Sequence, residues 1–407
     1  SPWAFGTTEA WSVCSMNLAG YGLGLLLLLK LAIRWRTGYR PARWPGQGRG
    51  PQRLTRLTVL LTLVVLLYCL VSALIVRAEY LPQQSRFEYH DCLFCLPHSY
   101  DSRSSWQALA SYLALAPSFW AVRDWLLSKS GAEARAAHSP LERGGGAGAP
   151  PLPARLRWLL WLLVLNGALL GLESIVQRLA ASPRLLFLVK PLIHQTADTQ
   201  FGPYAYRANG AQFFNLLWPV CLGFWWTLNR AAPRGRKSHH LLLLCGVIMA
   251  ACPVISTSRG GALVDLGMAL AGFVLLLASQ FRLWAGGRRS RRARLLSLCA
   301  VIGFFGATLG LGLGLGWGRL KPRMRELGTG FDGREALCRI AQDMAREFPL
   351  FGTGPGSYES VSELYRPTQL INQFWPAQVH NDWLQTRITF GWVGSALLGA
   401  LLSCVLL

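Results

Sequence analysis

The chain is 407 residues long, carries 41 Lys and Arg against 19 Asp and Glu for a net charge of +22, and has a mean hydropathy of +0.30. Its charged share of 15% falls below the roughly 25% of soluble domains, and 52% of its residues are hydrophobic. That composition excludes a basic disordered tail and takes the charge away from a nucleic-acid partner; the apolar residues come in membrane-length runs, so a polytopic membrane protein is expected.

The chain opens Ser1-Pro2-Trp3 without an initiator Met. The expectation is a fragment missing at least one membrane segment ahead of residue 1, a cleaved signal peptide being the alternative. A helix needs about 20 apolar residues to cross the hydrocarbon, and nine candidates follow in order: 16–33, 57–76, 106–122, 158–175, 210–228, 241–255, 261–281, 295–316 and 383–407. The expected fold is all-α, a polytopic transmembrane bundle of about nine spans, more in the full chain. A long outer loop with amphipathic helices completes it. The expected division is a bundle over 1–316 with basic cytoplasmic loops, a long outer loop over 317–382, and a last span over 383–407.

Cationic loops stay in the cytoplasm, which orients the chain. The loops 34–56, 123–157, 229–240 and 282–294 together carry +20, whereas 77–105, 176–209, 256–260 and 317–382 together carry +3. The two kinds alternate without a break, so the amino-terminal end and the 317–382 loop are expected outside. The stretches 37–53 and 130–153, rich in Gly, Pro and Arg, read as linkers. Ten cysteines show no zinc spacing. Cys92 and Cys95, in an outer loop, form either a disulfide or two unlinked thiols. The others behave as small apolar residues.

Four outward residues stand in settings where charge is costly. Arg207 closes Phe201-Gly-Pro-Tyr-Ala-Tyr-Arg207-Ala-Asn209 before a span, and Arg259 lies in Ser256-Thr-Ser-Arg259-Gly-Gly261, a five-residue turn between spans. Arg334 opens a segment in which Leu337, Ile340, Ala341, Met344, Ala345 and Phe348 recur at helical spacing, an amphipathic helix expected to lie flat on the outer leaflet. His380 stands in Val379-His380-Asn381-Asp-Trp-Leu384-Gln385 at the mouth of the last span. Taken singly, such arginines snorkel to lipid phosphates and such a histidine caps a helix. Taken together, three guanidiniums suit an anion at the outer membrane face, because Arg binds phosphate oxygens bidentately and stays charged when partly desolvated. A lipid-linked diphosphate is the natural anion at that depth, and His380 is placed to accept the proton of an acceptor hydroxyl.

Other motifs are weaker. Gly352-Thr-Gly354-Pro-Gly356 imitates a phosphate loop, but no Lys follows it and it reads as a tight turn. The run Gly310-Leu-Gly-Leu-Gly-Leu-Gly316 permits close helix packing. Asp265 is expected to be a structural partner of an outer arginine, and Glu173 and Arg387 to pair or line a cavity. No paired acidic cluster suggests a divalent metal, so neither metal nor cofactor is expected.

The succession Gly202-Pro203…Arg207-Ala-Asn209, Ser258-Arg259-Gly260, Gly333-Arg334, Phe348-Pro349-Leu-Phe-Gly352-Thr-Gly354-Pro-Gly356 and His380-Asn381-Asp-Trp-Leu384-Gln385, with Gly391 and Gly394, resembles the O-antigen ligase and polymerase family. The resemblance covers roughly residues 200–400. One departure is Ala336-Leu337-Cys338, where that family usually has an aromatic or charged residue after Arg334.

The resemblance implies a metal-independent, inverting glycosyltransferase of the bacterial inner membrane, with its active site facing the periplasm. Its donor is a glycan on undecaprenyl diphosphate; its acceptor is lipid A core for a ligase and another lipid-linked repeat for a polymerase. Arg207, Arg259 and Arg334 then hold the diphosphate, His380 assists the acceptor, and Asn209, Asn381 and Gln385 contact substrate. Its other partners are membrane lipids. The alternative from another class is a transporter of the same lipid-linked glycan, which requires charges distributed through the spans. Asp265 is the one charge clearly within a span in this reading. A structural scaffold, the remaining alternative, accounts for the spans but not for the four-residue set.

Overall fold

The computed structural model describes residues 10–38, 49–81, 83–84, 86–128, 152–191, 194–231, 239–285, 291–325, 327–367 and 376–407, and their side chains except at 49–51, 230–231, 282–285, 291–294 and 327–334. The expected linkers at 37–53 and 130–153 lie largely outside this set. The elements are α1 (Ala10–Thr37), α2 (Arg49–Leu74), β1 (Ala78–Leu81), β2 (Arg86–Tyr89), α3 (Ser102–Leu127), α4 (Ala154–Leu179), α5 (Arg207–Ala231), α6 (His240–Ile255), α7 (Arg259–Ala285), α8 (Arg291–Arg325), α9 (Leu327–Glu347), α10 (Tyr358–Ser362) and α11 (Asp382–Leu406). A helix stands at each of the nine expected spans. Six of them, α1, α2, α4, α7, α8 and α11, are long and apolar enough to cross a membrane. Helix α6 is apolar but has 16 residues, about 24 Å of rise against a hydrocarbon core of about 30 Å. Among the described residues the regular structure is helical apart from an antiparallel hairpin pairing β1 with β2, consistent with an all-α polytopic membrane protein.

Contacts divide the chain into two compact units: Ser1–Val13 with Ser139–Leu327, and Cys14–His138 with Gly328–Leu407. In unit one, α6 is apolar on all sides; Leu241 and Leu244 near its start are exposed, while most of the rest packs inward. Leu242, Met249, Ala251, Cys252 and Ile255 are completely buried, surrounded by α4, α5, α7 and α8. Small residues permit the approach. Gly171 of α4 faces Cys252, and Gly316 of α8 lies against the backbone of α6, where a Cβ would come within 2.8 Å of the Val254 carbonyl oxygen. The glycine run acts as a packing face at Gly312 and Gly316, while Gly310 and Gly314 face open space. Leu169, Leu266, Leu270 and Leu275 point outward, as a surface against lipid hydrocarbon requires.

In unit two, α2 packs on α3 and α11, and α1 reaches α3 through Gly20, whose position leaves no room for a Cβ beside the Ala114 carbonyl oxygen. The segment expected to be a tight turn is one, and it is stitched to a break in α11. Gly352, Gly354 and Gly356 all have positive φ, and Gly391 interrupts α11 at φ +61, ψ −168. Thr353 N–H donates to the Ile388 carbonyl (2.8 Å), Gly354 N–H to Thr389 (3.0 Å) and Trp392 N–H to Pro349 (2.9 Å). Tyr68 Oη closes the lock, 2.7 and 2.9 Å from the carbonyls of Phe351 and Phe390. Asp101 caps α3, accepting from Ser104 N–H at 3.1 Å and from the Ser360 hydroxyl.

The amphipathic helix is α9, which begins before Arg334, at Leu327. Its apolar face does not lie on lipid. Ala341, Met344 and Ala345 are buried with Tyr358, Val361, Val379 and Ile388, so protein covers the stripe that the sequence assigned to the leaflet. Cys92 and Cys95 are unlinked thiols.

Candidate functional site

Unit one gathers guanidiniums at one end of its bundle. Arg207 opens α5: its N–H donates to the Thr199 carbonyl at 2.8 Å and its guanidinium to that of Asp198. Arg259 opens α7 after a turn at 256–258 in which Thr257 has φ +62 and Ser258 Oγ accepts the Gly261 N–H. Arg259 Nη1 reaches the Arg323 carbonyl at 3.5 Å, and Arg319 Nη1 donates to the Arg178 carbonyl at 3.0 Å. Arg319 and Arg323 sit on α8, which runs as a helix past residue 316 to Arg325. Gly312, Gly316, Arg319 and Arg323 follow at i, i+4, i+7 and i+11, so the glycine face that packs on α6 continues into the two arginines.

These positive charges act on one another: Arg207 feels Arg323 and Arg259, and Arg178 feels Arg207, Arg319 and Arg323. The carboxylate of Asp198, 80% exposed, lies 3.6 Å from Arg178 and offsets one of the five. Two helix amino termini, those of α5 and α7, add their partial positive charge to the layer. Such an arrangement is chemically an anion receptor, and guanidinium forks match phosphate oxygens. His194, on the loop before α5, stacks on Tyr206 with ring centroids 5.2 Å apart. Partial burial, and next to it the charge of Arg207, hold its imidazole below the usual range, which keeps it neutral beside the guanidiniums.

The expected residues are therefore divided. Arg207 and Arg259 come together in unit one, with Asn209 exposed in the first turn of α5. Arg334 and the 380–385 segment belong to unit two. Arg334 is helical within α9, and its side chain lies outside the described residues. His380 is exposed and adopts φ +58 at a sharp bend. Asn381 Oδ1 caps α11 by accepting the Leu384 N–H at 3.2 Å, and Gln385 Oε1 accepts the Val379 N–H at 3.1 Å. Both amides thus brace the bend that presents His380.

Arg387 stacks over Trp392 at 4.2 Å and donates to the Pro349 carbonyl at 2.9 Å. It lines an open cleft of about 560 Å³ with Gln342, Asn381, Trp383 and Leu402. Among the described residues Glu173 has no pairing partner, and its carboxylate oxygens are buried without a hydrogen bond. Asp265 differs from expectation. It is 5% exposed and makes no ion pair among the described residues; the Trp218 indole is its polar neighbour, because α7 carries it inward from the arginine end. Among the described residues no group of three or more His, Cys, Asp or Glu side chains could hold a metal ion.

Sequence reasoning missed Arg178, Arg319 and Arg323, which were counted as loop charges. The helical spacing of the glycines on α8, extended by two turns, was the signal for the last two.

A family model described as O-Antigen ligase matches residues 244–399. That match supports assigning the stretch to the O-antigen ligase family. It runs from α6 into α11 and contains Arg259, Arg319, Arg323, Arg334 and His380, while Arg207 precedes it. The match supports a membrane enzyme of the O-antigen ligase or polymerase type. No curated protein and no solved structure matches the chain.

Proposed function

We propose that the protein is an inverting glycosyltransferase that moves a glycan from undecaprenyl diphosphate to an acceptor hydroxyl, lipid A core for a ligase, at the periplasmic face of the inner membrane. The observation that carries this reading is the arginine layer of unit one, which shares helices α7 and α8 with the O-antigen ligase stretch. Arg207 and Arg259 grip the diphosphate, and Arg334 is assigned the same role by its sequence motif. The acceptor oxygen attacks the anomeric carbon, the carbon–oxygen bond to the diphosphate breaks, and the diphosphate leaves with the bonding pair. Negative charge grows on the leaving oxygens as that bond lengthens, which is where preorganised cations lower a barrier most. His380 takes the proton released by the acceptor hydroxyl, and Asn381 and Gln385 hold the bend on which it sits. Asn209, exposed beside Arg207, is a substrate contact in this reading.

The test is reconstitution of the purified chain with undecaprenyl-diphosphate-linked glycan and, separately, lipid A core or a second lipid-linked repeat. Glycan on lipid A core marks a ligase, and lengthened lipid-linked glycan marks a polymerase. Transbilayer movement of the donor without product overturns the enzyme reading. His380→Ala is expected to abolish transfer while the protein still inserts and purifies; normal transfer by that variant removes the proton-acceptor role.

A further inference from the structure

We infer that Arg178, on α4, is the positioning residue that sets Arg207 and Arg259 relative to one another, an inference that rests on the proposed reading of the arginine layer as a diphosphate site. Its side chain is 2% exposed, so it is shielded where a direct ligand contact would need access. The guanidinium instead spans two backbone segments. Nη1 donates to the Ala197 carbonyl at 2.9 Å, and Nη2 donates to Gln200 at 2.6 Å and to Ser256 at 3.1 Å.

The first segment, 197–200, is the one on which Arg207 rests, since the Asp198 carbonyl receives its guanidinium and the Thr199 carbonyl its N–H. The second begins the 256–258 turn that delivers Arg259 to the start of α7. One side chain thus bonds to the supports of both arginines. The Arg178 carbonyl also accepts from Arg319, which ties α8 to the same node.

The chemistry of the node favours arginine over any other residue. Three carbonyls in two directions, two of them in buried bonds, need a planar fork of several donors, and arginine alone presents one that stays charged. Leaving buried carbonyls unbonded is unfavourable, as is a buried charge with poor partners. Here the carbonyls, the Phe201 ring 5.6 Å away and Asp198 at 3.6 Å share the cation. The loop is braced from its other side too: Gln200 Nε2 donates to the carbonyls of Pro183 (3.1 Å) and His194 (2.8 Å), and Gln177 Nε2 to that of Arg184 (2.8 Å).

The experiment compares the full chain in detergent with its Arg178→Lys, Arg178→Gln and Gln200→Leu variants. It measures affinity for farnesyl diphosphate by calorimetry and amide hydrogen exchange over 197–207 and 256–262 without ligand. Arg178→Lys keeps the charge and loses the fork, so its affinity is expected to fall at least tenfold, with exchange rising in both segments together. Gln200→Leu is expected to raise exchange in 197–207 alone. On an Arg259→Gln background, Arg178→Lys is expected to weaken binding by a smaller factor than it does in the wild-type chain, because the share of its effect that passes through Arg259 is already lost. Three results overturn the inference: wild-type affinity in Arg178→Lys, unchanged exchange at 256–262, or fully additive losses in the double variant. Should the wild-type chain bind no farnesyl diphosphate, the diphosphate reading falls, while the exchange arm still decides whether Arg178 holds both segments. Should Arg178→Gln fail to fold, the Lys variant carries the decision.

Discussion

The arginine end of unit one and the glycine lock of unit two are both intolerant places, for opposite reasons. In unit one the side chains matter most: α5 and α7 begin after loops, α8 runs on, and guanidiniums collect where helices end. In unit two the backbone matters and the side chains are nearly absent: Gly352 and Gly391 let two chain segments pass so close that a Cβ at either would lie within 2.3 Å of a carbonyl oxygen. The motif that looks most like a ligand loop, Gly352-Thr-Gly354-Pro-Gly356, is therefore architecture. The residues that look like stray loop charges, Arg319 and Arg323, stand in the layer that can hold an anion.

The comparison predicts different kinds of damage. Arg259→Gln or Arg207→Gln is expected to cost about 10²–10³ in transfer rate, by analogy with the loss of one oxyanion donor, with the melting transition in detergent little changed. A large melting shift with proportionate activity loss would make the layer structural instead. Gly391→Val should do the reverse. It forces a branched side chain onto the Leu350 carbonyl oxygen, at a backbone conformation open essentially to glycine alone. A destabilisation of several kcal/mol is expected, visible as loss of a cooperative transition; a variant that melts like the wild type would refute the lock. Asp101→Ala removes the α3 cap and the Ser360 contact. The expected loss is about 1–2 kcal/mol, measured by denaturant titration of the purified protein. The smallest effect belongs to Lys30→Met, which leaves Asp124 paired with Arg34 at 2.7 Å. For an ion pair with a 40% exposed lysine, less than about 1 kcal/mol is expected.

Much of this was legible in the sequence. Apolar runs located a helix at every expected span, and the spacing of Ala341, Met344 and Ala345 placed an apolar stripe on α9, although protein rather than lipid covers those three residues. Arg207 and Arg259 stood out because charge beside a span needs a reason. What escaped depended on where helices stop. Hydropathy falls after Gly316, so the sequence suggested a loop, yet the backbone continues helically and carries Arg319 and Arg323 on the face that packs at Gly312 and Gly316. Arg178 gave no signal because its partners are carbonyls from residues 19, 22 and 78 positions away. Asp265 misled for a related reason: nearness to Arg259 in sequence is distance along a helix axis, about 9 Å over six residues. The division into two units arises from contacts between segments remote in sequence, which a single chain read in order does not reveal.

Helix α8 has 35 residues, about 52 Å of rise, well beyond the roughly 30 Å of hydrocarbon. It works as a post and a gauge: the position of Arg319 and Arg323 along its axis is set by a count of residues and not by a loop that can adjust. Inserting two residues after Gly316 would swing both arginines about 200° around the post, while inserting four would keep their bearing within about 40° and lift them about 6 Å. Evolution can lengthen such a gauge only in whole turns.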